Sequence, residues 1–274
     1  MTKYSFLLLS IALLTAVTSC KTTQKSVATP ESQAETADPV RKIPAISREE
    51  FDGTWIVKTA ERHEVVGDEP VELTFDLTNS RLYGNDGCNV INGTFTLGDE
   101  NMLQFGSLIS TSKECRPEVT DRAVLRALNH TRFYKRTDDR DLSIKFCDRR
   151  GRTVMRLVKR MTHLLNGPWK VTAINDTLIT GKQPTIVIDI PEAKLSGFAG
   201  CNRLVGHIAL DETPYGISFV QVAATRKACP DMEAEQKFLS VIDKVTGFYP
   251  IDNTHIILYQ APELPLITLE KGLQ

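Results

Sequence analysis

Short apolar runs, separated by Gly, Pro, Asn or Asp, recur through the second half of the chain. Runs of this length that are rich in β-branched and aromatic residues and bounded by turn residues are typical of β-strands. The pattern predicts the following strands in this half: Trp169–Ile174, Thr185–Ile190, Lys194–Phe198, His207–Leu210, Ile217–Val220, His255–Tyr259 and Leu266–Leu269. We therefore expect a mainly β structure.

One segment of the second half has a helical pattern instead. Pro230 is a favoured first helical residue, and acidic residues follow it where the helix dipole favours negative charge. The apolar residues of this segment fall on one helical face: Ala234, Phe238, Val241, Ile242 and Val245. A similar helix is predicted in the first half, from Pro117 to about Asn129. An apolar stripe of this kind usually faces a core.

The two halves of the body repeat one another at a spacing near 114 residues. The following segments coincide in this register: Gly84–Asn89 with Gly197–Asn202, and Thr111–Cys115 with Thr225–Cys229. A period this long exceeds that of solenoid repeats and indicates two domains, at residues 50–160 and 161–274. The predicted fold class is α+β, mainly β, with two tandem small curled-sheet or barrel domains, each closed by one helix.

The first twenty residues have the pattern of an export signal. Lys3 precedes an apolar run from Phe6 to Val17, which is too short for a comfortable membrane span. The sequence Val17-Thr18-Ser19-Cys20 that ends this run resembles a bacterial lipobox. The resemblance implies that residues 1–20 hold a lipoprotein signal peptide, cleaved before Cys20, and that Cys20 carries the lipid. An ordinary signal peptide with an incidental cysteine is the alternative.

Residues 21–49 are predicted to be a flexible tether. They are rich in Thr, Ser, Gln, Ala, Glu and Pro and have no sustained apolar period. Such a segment cannot bury enough surface to offset the entropy lost on ordering. A coil of this length spans about 30 Å, enough to hold a folded body clear of a membrane.

Three repeated motifs carry a family resemblance. Gly167-Pro168-Trp169, Gly197–Asn202 followed by Arg203, and Thr225–Pro230 together resemble the META domain family, which includes the HslJ-like envelope proteins. The first half departs from the pattern modestly, with Val90 in place of Arg203 and with Arg116 inserted before Pro117. The resemblance implies compact β-rich domains in the bacterial envelope and a link to heat shock, antibiotic tolerance, motility or virulence. It brings no established catalytic activity.

The cysteines fall into three groups. Cys20 is assigned to the lipid, and four others occupy matching positions in the two halves. Paired cysteines of exported proteins usually form disulfides. We predict one bridge inside each domain: Cys88–Cys115 and Cys201–Cys229. A labile regulatory bridge, reduced thiols and pairing between the domains are the alternatives. Cys147, in a strand-like run, is expected to be a small buried residue.

Candidate chemistry is sparse. The formal net charge of −1 gives no general attraction to nucleic acid. The five histidines show no metal-ligand spacing, and the motifs of hydrolases, nucleotide-binding loops and zinc proteases are absent from the sequence. We therefore predict no catalytic residue, metal or cofactor. The repeated glycines are expected to form a tight turn with positive φ. Possible contacts for a ligand or partner are Asn89, Lys113, Asn202 and Lys227.

The charge is unevenly distributed within the first domain. Residues 50–129 carry 7 Lys and Arg against 14 Asp and Glu, whereas residues 130–160 carry 11 against 4. The basic residues interleave with apolar ones, so we expect them to line one face of a sheet near the domain junction. This face is either simply solvated or a contact for anionic lipid headgroups or an acidic partner. Nucleic acid is a remoter alternative for an exported protein.

These patterns lead to two main functional hypotheses. The first is a lipid-anchored cell-envelope protein, on the outer membrane and facing the periplasm, that acts without catalysis as a binding or stress-protective module. Its partners would be the membrane, through the anchor, and an envelope protein or component. The second is a thiol-based oxidoreductase or redox sensor that uses Cys115 or Cys229. Binding of a small apolar ligand inside a barrel is a third possibility.

Overall fold

The computed structural model describes residues 45–137, 140–230, 232–261 and 264–272. The predicted signal peptide, Cys20 and most of the predicted tether lie outside the described residues. The first half contains, in order, α1 (Arg48–Phe51), β1 (Gly53–Ala60), β2 (His63–Glu64), β3 (Glu72–Asp76), β4 (Arg81–Asn85), β5 (Val90–Leu97), β6 (Leu103–Phe105), β7 (Ile109–Ser110), α2 (Asp121–His130), β8 (Phe133–Arg136), β9 (Ser143–Cys147) and β10 (Thr153–Lys159).

The second half repeats this order after a short 3₁₀ turn at Thr162–Leu165. Its elements are β11 (Gly167–Ile174), β12 (Thr177–Leu178), β13 (Thr185–Asp189), β14 (Lys194–Phe198), β15 (Arg203–Ala209), β16 (Ser218–Ala224), α3 (Glu233–Leu239), β17 (Gly247–Pro250), β18 (His255–Gln260) and β19 (Leu264–Lys271). Each strand predicted for this half coincides with or overlaps one of these strands. The mainly β fold class is confirmed.

Each half forms one antiparallel sheet with the same strand order. The order is β6-β5-β4-β3-β1-β10-β9-β8 in the first sheet and β16-β15-β14-β13-β11-β19-β18-β17 in the second. A single bridge links the two ends of each sheet, Met102 to Phe133 in the first and Gly216 to Gly247 in the second. Each sheet therefore curls until its ends meet.

The inward-facing side chains of each sheet pack with its helix into a separate apolar core. β5 shows the alternation that this requires, because Ile91 and Phe95 are buried while the residues between them on the other face are exposed. On α2 the buried face comprises Ala123, Val124, Ala127 and Leu128. Cys147 is also buried, on β9.

The helices begin later than the prolines predicted, so that expectation was wrong. α2 begins at Asp121 rather than Pro117, and α3 begins at Glu233 rather than Pro230. In the first half, the backbone N–H of Thr120 donates to the carbonyl of Val66 at 2.9 Å, and its hydroxyl accepts from the Val66 N–H at 3.0 Å. These bonds hold the chain against a neighbouring loop, outside helical geometry, until Asp121.

Residues 211–215 of the second half pack against the sheet of the first half. The backbone N–H of Met161 donates to the carbonyl of Pro214 at 2.9 Å, and Lys58 donates to the carbonyl of Glu212 at 3.1 Å. Arg160, which is buried, donates to the carbonyl of Thr213 at 2.8 Å and pairs with Glu72. The two sheets are thus joined by hydrogen bonds as well as by the connecting chain.

Candidate functional site

The first repeated loop is held by a disulfide between Cys88 and Cys115, whose Cα atoms lie 5.9 Å apart. The neighbouring Asn89 is buried. Its Oδ1 accepts hydrogen bonds from the backbone N–H of Lys113 at 2.8 Å and from the hydroxyl of Thr111 at 3.2 Å. The amide of Asn89 therefore fixes the backbone that carries Lys113.

A buried carboxylate organises the backbone of this loop. Asp86 Oδ1 accepts from the backbone N–H groups of Cys88 at 3.2 Å and of Asn89 at 2.6 Å. Asp86 Oδ2 is buried without a hydrogen-bond partner among the described residues. The backbone N–H groups of Cys88 and Asn89 thus share Oδ1 of Asp86, which belongs to the same loop. Burial of Oδ2 without a hydrogen bond costs free energy that no contact offsets.

The second repeated loop has the same plan. Cys201 and Cys229 form a disulfide with Cα atoms 6.4 Å apart, and Asn202 is buried beside it. Asn202 Oδ1 accepts from the backbone N–H of Lys227 at 2.7 Å and from the hydroxyl of Thr225 at 2.8 Å. Both predicted disulfide pairings are present in the structure.

The carboxylate of the second loop comes from the helix. Ala199 stands where the first loop has Asp86, and Glu235 of α3 takes over its role. Glu235 Oε2 accepts from the backbone N–H groups of Cys201 at 2.9 Å and Asn202 at 2.8 Å, and Oε1 accepts from Asn202 Nδ2 at 2.7 Å. Burial raises the pKa of Glu235, but these hydrogen bonds lower it by more, so that its pKa lies below the usual value of 4.5.

Neither Asp86 nor Glu235 is predicted as a site residue by the sequence pattern. Glu235 lies 33 residues beyond Asn202, on a helix whose apolar stripe predicts which of its residues are buried and gives no sign of a buried acid. One difference between the copies could have indicated Glu235: Ala199 stands where the first copy has Asp86. Because Ala199 has no side-chain acceptor, another residue must accept the hydrogen bonds of the buried loop amides.

The four candidate contact residues divide into two kinds. Asn89 and Asn202 are buried and use their amides within the loops, which leaves little of them for a partner to touch. Lys113 and Lys227 are exposed, and in the described structure neither ammonium has a hydrogen bond or ion pair. Lys113 also borders an open cleft of about 610 Å³ that extends to Cys115, Thr120 and Arg126. The exposed contacts of these loops are therefore the two lysines.

The helix positions bear on the thiol hypothesis. α2 begins six residues after Cys115, and α3 begins four residues after Cys229. Neither cysteine therefore directly precedes a helix, although the Cys115 sulfur lies 3.9 Å from Oδ2 of Asp121, the first residue of α2.

The described parts of the chain contain no group of three or more His, Cys, Asp or Glu residues arranged to hold a metal ion. Among the helices of these parts, none has both the length and the apolar composition needed to span a bilayer.

A family model described as the META domain matches the chain twice, over residues 48–161 and 162–272. The chain belongs to the META domain family. The two matches are tandem copies and correspond to the two sheets described above. No curated protein matches the chain.

Among solved structures, a Burkholderia xenovorans protein determined by NMR is 24% identical over 41% of this chain and 87% of its own, with a TM-score of 0.33. A second protein determined by NMR is 18% identical over 39% of this chain and 91% of its own, with a TM-score of 0.31. A crystal structure of a DUF4847 family protein from Bacteroides vulgatus is 16% identical over 39% of this chain and 92% of its own, with a TM-score of 0.27.

The basic residues of the first META domain do not share one face, so that expectation was wrong. Lys159 and Arg160 are buried. Arg136 pairs with Glu50 at 3.2 Å, and Arg152 pairs with Asp148 at 2.6 Å. The basic side chains of residues 130–160 point in different directions for two reasons. Successive residues of a strand face opposite sides of the sheet, and the β9–β10 turn lies at the end of the sheet.

Five other basic residues of this segment form two separate groups. Lys135, Lys145 and Arg156 lie directly opposite one another on β8, β9 and β10 and form a row on the outer face of the sheet. Arg149 and Arg150 are exposed at the β9–β10 turn, next to Arg132. The second group borders a cleft of about 740 Å³.

Proposed function

We propose that this chain is a lipid-anchored protein of the bacterial cell envelope whose two META domains act without catalysis as a binding or stress-protective module. The observation that carries the proposal is the repeated loop. Each domain holds one exposed lysine, Lys113 or Lys227, on a backbone that is fixed by a disulfide and a buried asparagine. A rigid backbone reduces the entropy that is lost when a partner binds.

The proposed location rests on the sequence together with the disulfides. The lipobox-like Val17–Cys20 supports a lipid on Cys20, and disulfides persist mainly in oxidising compartments such as the periplasm. Lys21 after the lipidated cysteine favours the outer membrane by analogy with bacterial lipoprotein sorting. The proposed partners are the membrane and an envelope protein or component, and not nucleic acid.

Metabolic labelling tests the anchor. Bacteria that express the full chain are grown with radiolabelled palmitate, and the chain is isolated from membrane and soluble fractions. We expect label and membrane association in the unchanged chain and the loss of both in Cys20→Ser. Cys147→Ser is the matched control and should keep both. Label that persists in Cys20→Ser contradicts the proposed anchor.

Site-specific crosslinking tests the binding module. A photoreactive residue placed at Lys227 or Lys113 in intact cells is expected to capture the same discrete envelope component. The same residue at Lys194, which is exposed on β14 away from the disulfide, is the control. Equal capture from position 194 argues against the loops as the contact. A catalytic turnover that Lys113→Ala or Lys227→Ala abolishes contradicts the non-catalytic assignment.

A further inference from the structure

An arginine-rich cleft lies at one end of the first META domain, away from the disulfide loop. Three turn segments form it: the β1–β2 turn, the residues between α2 and β8, and the β9–β10 turn. The cleft has a volume of about 740 Å³. Five arginines line it, and we call this site the arginine cleft: Arg62, Arg132, Arg149, Arg150 and Arg152.

The two carboxylates in the cleft already have partners. Asp148 accepts from Arg152 Nε at 2.8 Å and from the backbone N–H groups of Arg150 and Arg152. Glu61 Oε1 lies 3.0 Å from His130 Nδ1. These contacts hold the turns in place, and in the described structure neither carboxylate forms an ion pair with Arg62, Arg149 or Arg150.

Three guanidinium groups are left without an acidic partner. In the described structure, the side chains of Arg62, Arg149 and Arg150 form no ion pair or hydrogen bond with a carboxylate, and all three residues are exposed. Arg132 is oriented by hydrogen bonds to the carbonyls of Asn129 at 2.8 Å and Thr131 at 2.5 Å. The cleft thus combines one oriented arginine with three that are available to a ligand.

The backbone at Arg62 sets this site apart from the second domain. Glu61 and Arg62 form a two-residue hairpin turn with φ of 49° and 72°, and the corresponding turn is Asn175-Asp176 with φ of 47° and 59°. Asparagine and aspartate suit the left-handed region, whereas arginine is uncommon there. The first domain therefore places a cation at the cleft in an unfavourable conformation, while the second has an acid at that position.

The β9–β10 turn differs between the domains in the same sense. It carries Arg149, Arg150 and Arg152 in the first domain, whereas residues 260–264 of the second domain contain no Lys or Arg. The positive charge is therefore a property of one copy and is not required by the shared fold.

We propose that the arginine cleft binds a phosphate-bearing anion, either free in solution or carried on a lipid headgroup. A guanidinium presents its N–H groups as a planar fork that matches two phosphate oxygens at once, and such charge-assisted bonds are among the strongest hydrogen bonds in proteins. Several forks around one cleft favour an anion with several oxygens over a single carboxylate. This inference goes beyond the proposed function and does not depend on the lipid anchor.

Titration of the full chain with inorganic pyrophosphate tests the site, with isothermal titration calorimetry as the readout. The unchanged chain should bind saturably at one site. Arg149→Gln combined with Arg150→Gln should weaken binding by about tenfold or more, because it removes two charge-assisted contacts from exposed positions. Thermal unfolding checks that this variant is folded. Arg149→Lys with Arg150→Lys keeps the charge but loses the forks, and it should bind with intermediate affinity.

The control removes the same charge from another part of the same sheet. Lys135→Gln combined with Arg156→Gln should leave pyrophosphate affinity within about twofold of the unchanged chain, because a charge outside the cleft acts only through a screened field. If this control weakens binding as much as the Arg149 and Arg150 variant does, the affinity is a general charge effect and the proposal is wrong.

Vesicles distinguish the two sources of phosphate. Vesicles of phosphatidylcholine alone and with added phosphatidylglycerol are mixed with the full Cys20→Ser chain, with and without the two glutamine substitutions. Binding that needs phosphatidylglycerol and falls with those substitutions assigns the cleft to lipid headgroups, whereas pyrophosphate binding without such a difference assigns it to soluble anions. If neither probe binds, or if neither loses affinity in the Arg149 and Arg150 variant, the proposal is overturned.

Discussion

The ammonium of Lys159 lies 4.9 Å from the centre of the Trp55 ring, directly across the β1–β10 pair. Lys159 is buried and donates to the backbone carbonyl of Glu50 at 3.0 Å and to that of Asp52. Burial lowers the pKa of Lys159 to about 8, although the negative charges of Asp52 and Glu50 oppose that change. The site therefore holds a cation on a ring face and backbone carbonyls where water has been excluded.

This arrangement predicts an unusual dependence of stability on pH. Between about pH 8 and the ordinary lysine pKa of 10.5, the folded state has released the Lys159 proton while the unfolded state still holds it. Stability conferred by this residue should therefore rise with pH across that window, by up to about 1.4 kcal/mol per pH unit. Urea unfolding at several pH values, compared between the unchanged chain and Lys159→Met, measures the difference.

In Lys159→Met we expect this alkaline gain to disappear. Lys135→Met, at an exposed position on β8, is the control and should follow the unchanged chain. A Lys159→Met variant that gains stability above pH 8 as steeply as the unchanged chain would show that another group is responsible.

Glu235→Gln should destabilise the second domain. In the variant, one carboxylate oxygen becomes an NH2 group, which cannot accept a hydrogen bond from the loop N–H groups. A buried hydrogen-bonding group left without a partner costs about 1–3 kcal/mol. Because the pKa of Glu235 is lowered in the folded state, its contribution is present above pH 4.5 and is lost as the pH falls through the folded pKa. The unchanged chain should therefore lose more stability than Glu235→Gln between pH 5 and pH 3, by denaturant unfolding.

Glu233→Gln is the matched control on the same helix. Glu233 is exposed and pairs with Lys237 one turn away at 2.6 Å, and pairs of this kind contribute at most a few tenths of a kcal/mol. Equal losses for the two variants would mean that the hydrogen bonds to Asn202 and Cys201 do not set the stability of the loop.

The disulfides should be structural rather than regulatory. Each closes a loop of 27 or 28 residues, so the double variants Cys88→Ser/Cys115→Ser and Cys201→Ser/Cys229→Ser should each lose about 3–4 kcal/mol of unfolding free energy. In a redox-buffer titration followed by alkylation and mass spectrometry, the four sulfurs should stay untagged until the potential falls below about −300 mV. Tagging near −200 mV would favour the thiol-switch hypothesis instead.

Gly197→Ala should weaken the second sheet although it adds only a methyl group. Gly197 lies within β14, opposite Ile186, and a Cβ there would overlap the backbone carbonyl of Thr185. Backbone cannot yield as a side chain can, so we expect a loss of about 1–3 kcal/mol in thermal or denaturant unfolding. Gly98→Ala, where a Cβ would meet only the Met102 side chain, should change stability far less.

The position of Gly197 in the fold could be predicted only in part from the sequence. Gly84 and Gly197 were expected at a tight turn, but both lie inside strands and are small because a neighbouring strand approaches closely. All four repeated glycines have positive φ as expected: 159° at Gly84, 94° at Gly87, 146° at Gly197 and 137° at Gly200. A repeated motif can show that a glycine is required. It cannot show that the cause is the close approach of another strand, because that approach depends on the tertiary structure.

Matched positions were the most informative part of the sequence. They gave the Cys88–Cys115 and Cys201–Cys229 pairings, because a bond inside each copy is the simplest arrangement that repeats. They did not reveal β17 (Gly247–Pro250), whose glycine and proline argue against a strand and which forms through pairing with β18. Nor did they reveal Glu235, whose role depends on the docking of α3 against a loop that is distant in sequence.

Asp86 and Glu235 have a consequence for how the two domains can change over time. The two copies satisfy equivalent loop amides with acids from different elements, so a loop transferred from one copy to the other would no longer match its new helix. The second domain would then hold two buried carboxylates at one pair of amides, and the first would hold no equivalent of Asp86. An exchange of this loop between the copies would therefore destabilise both domains.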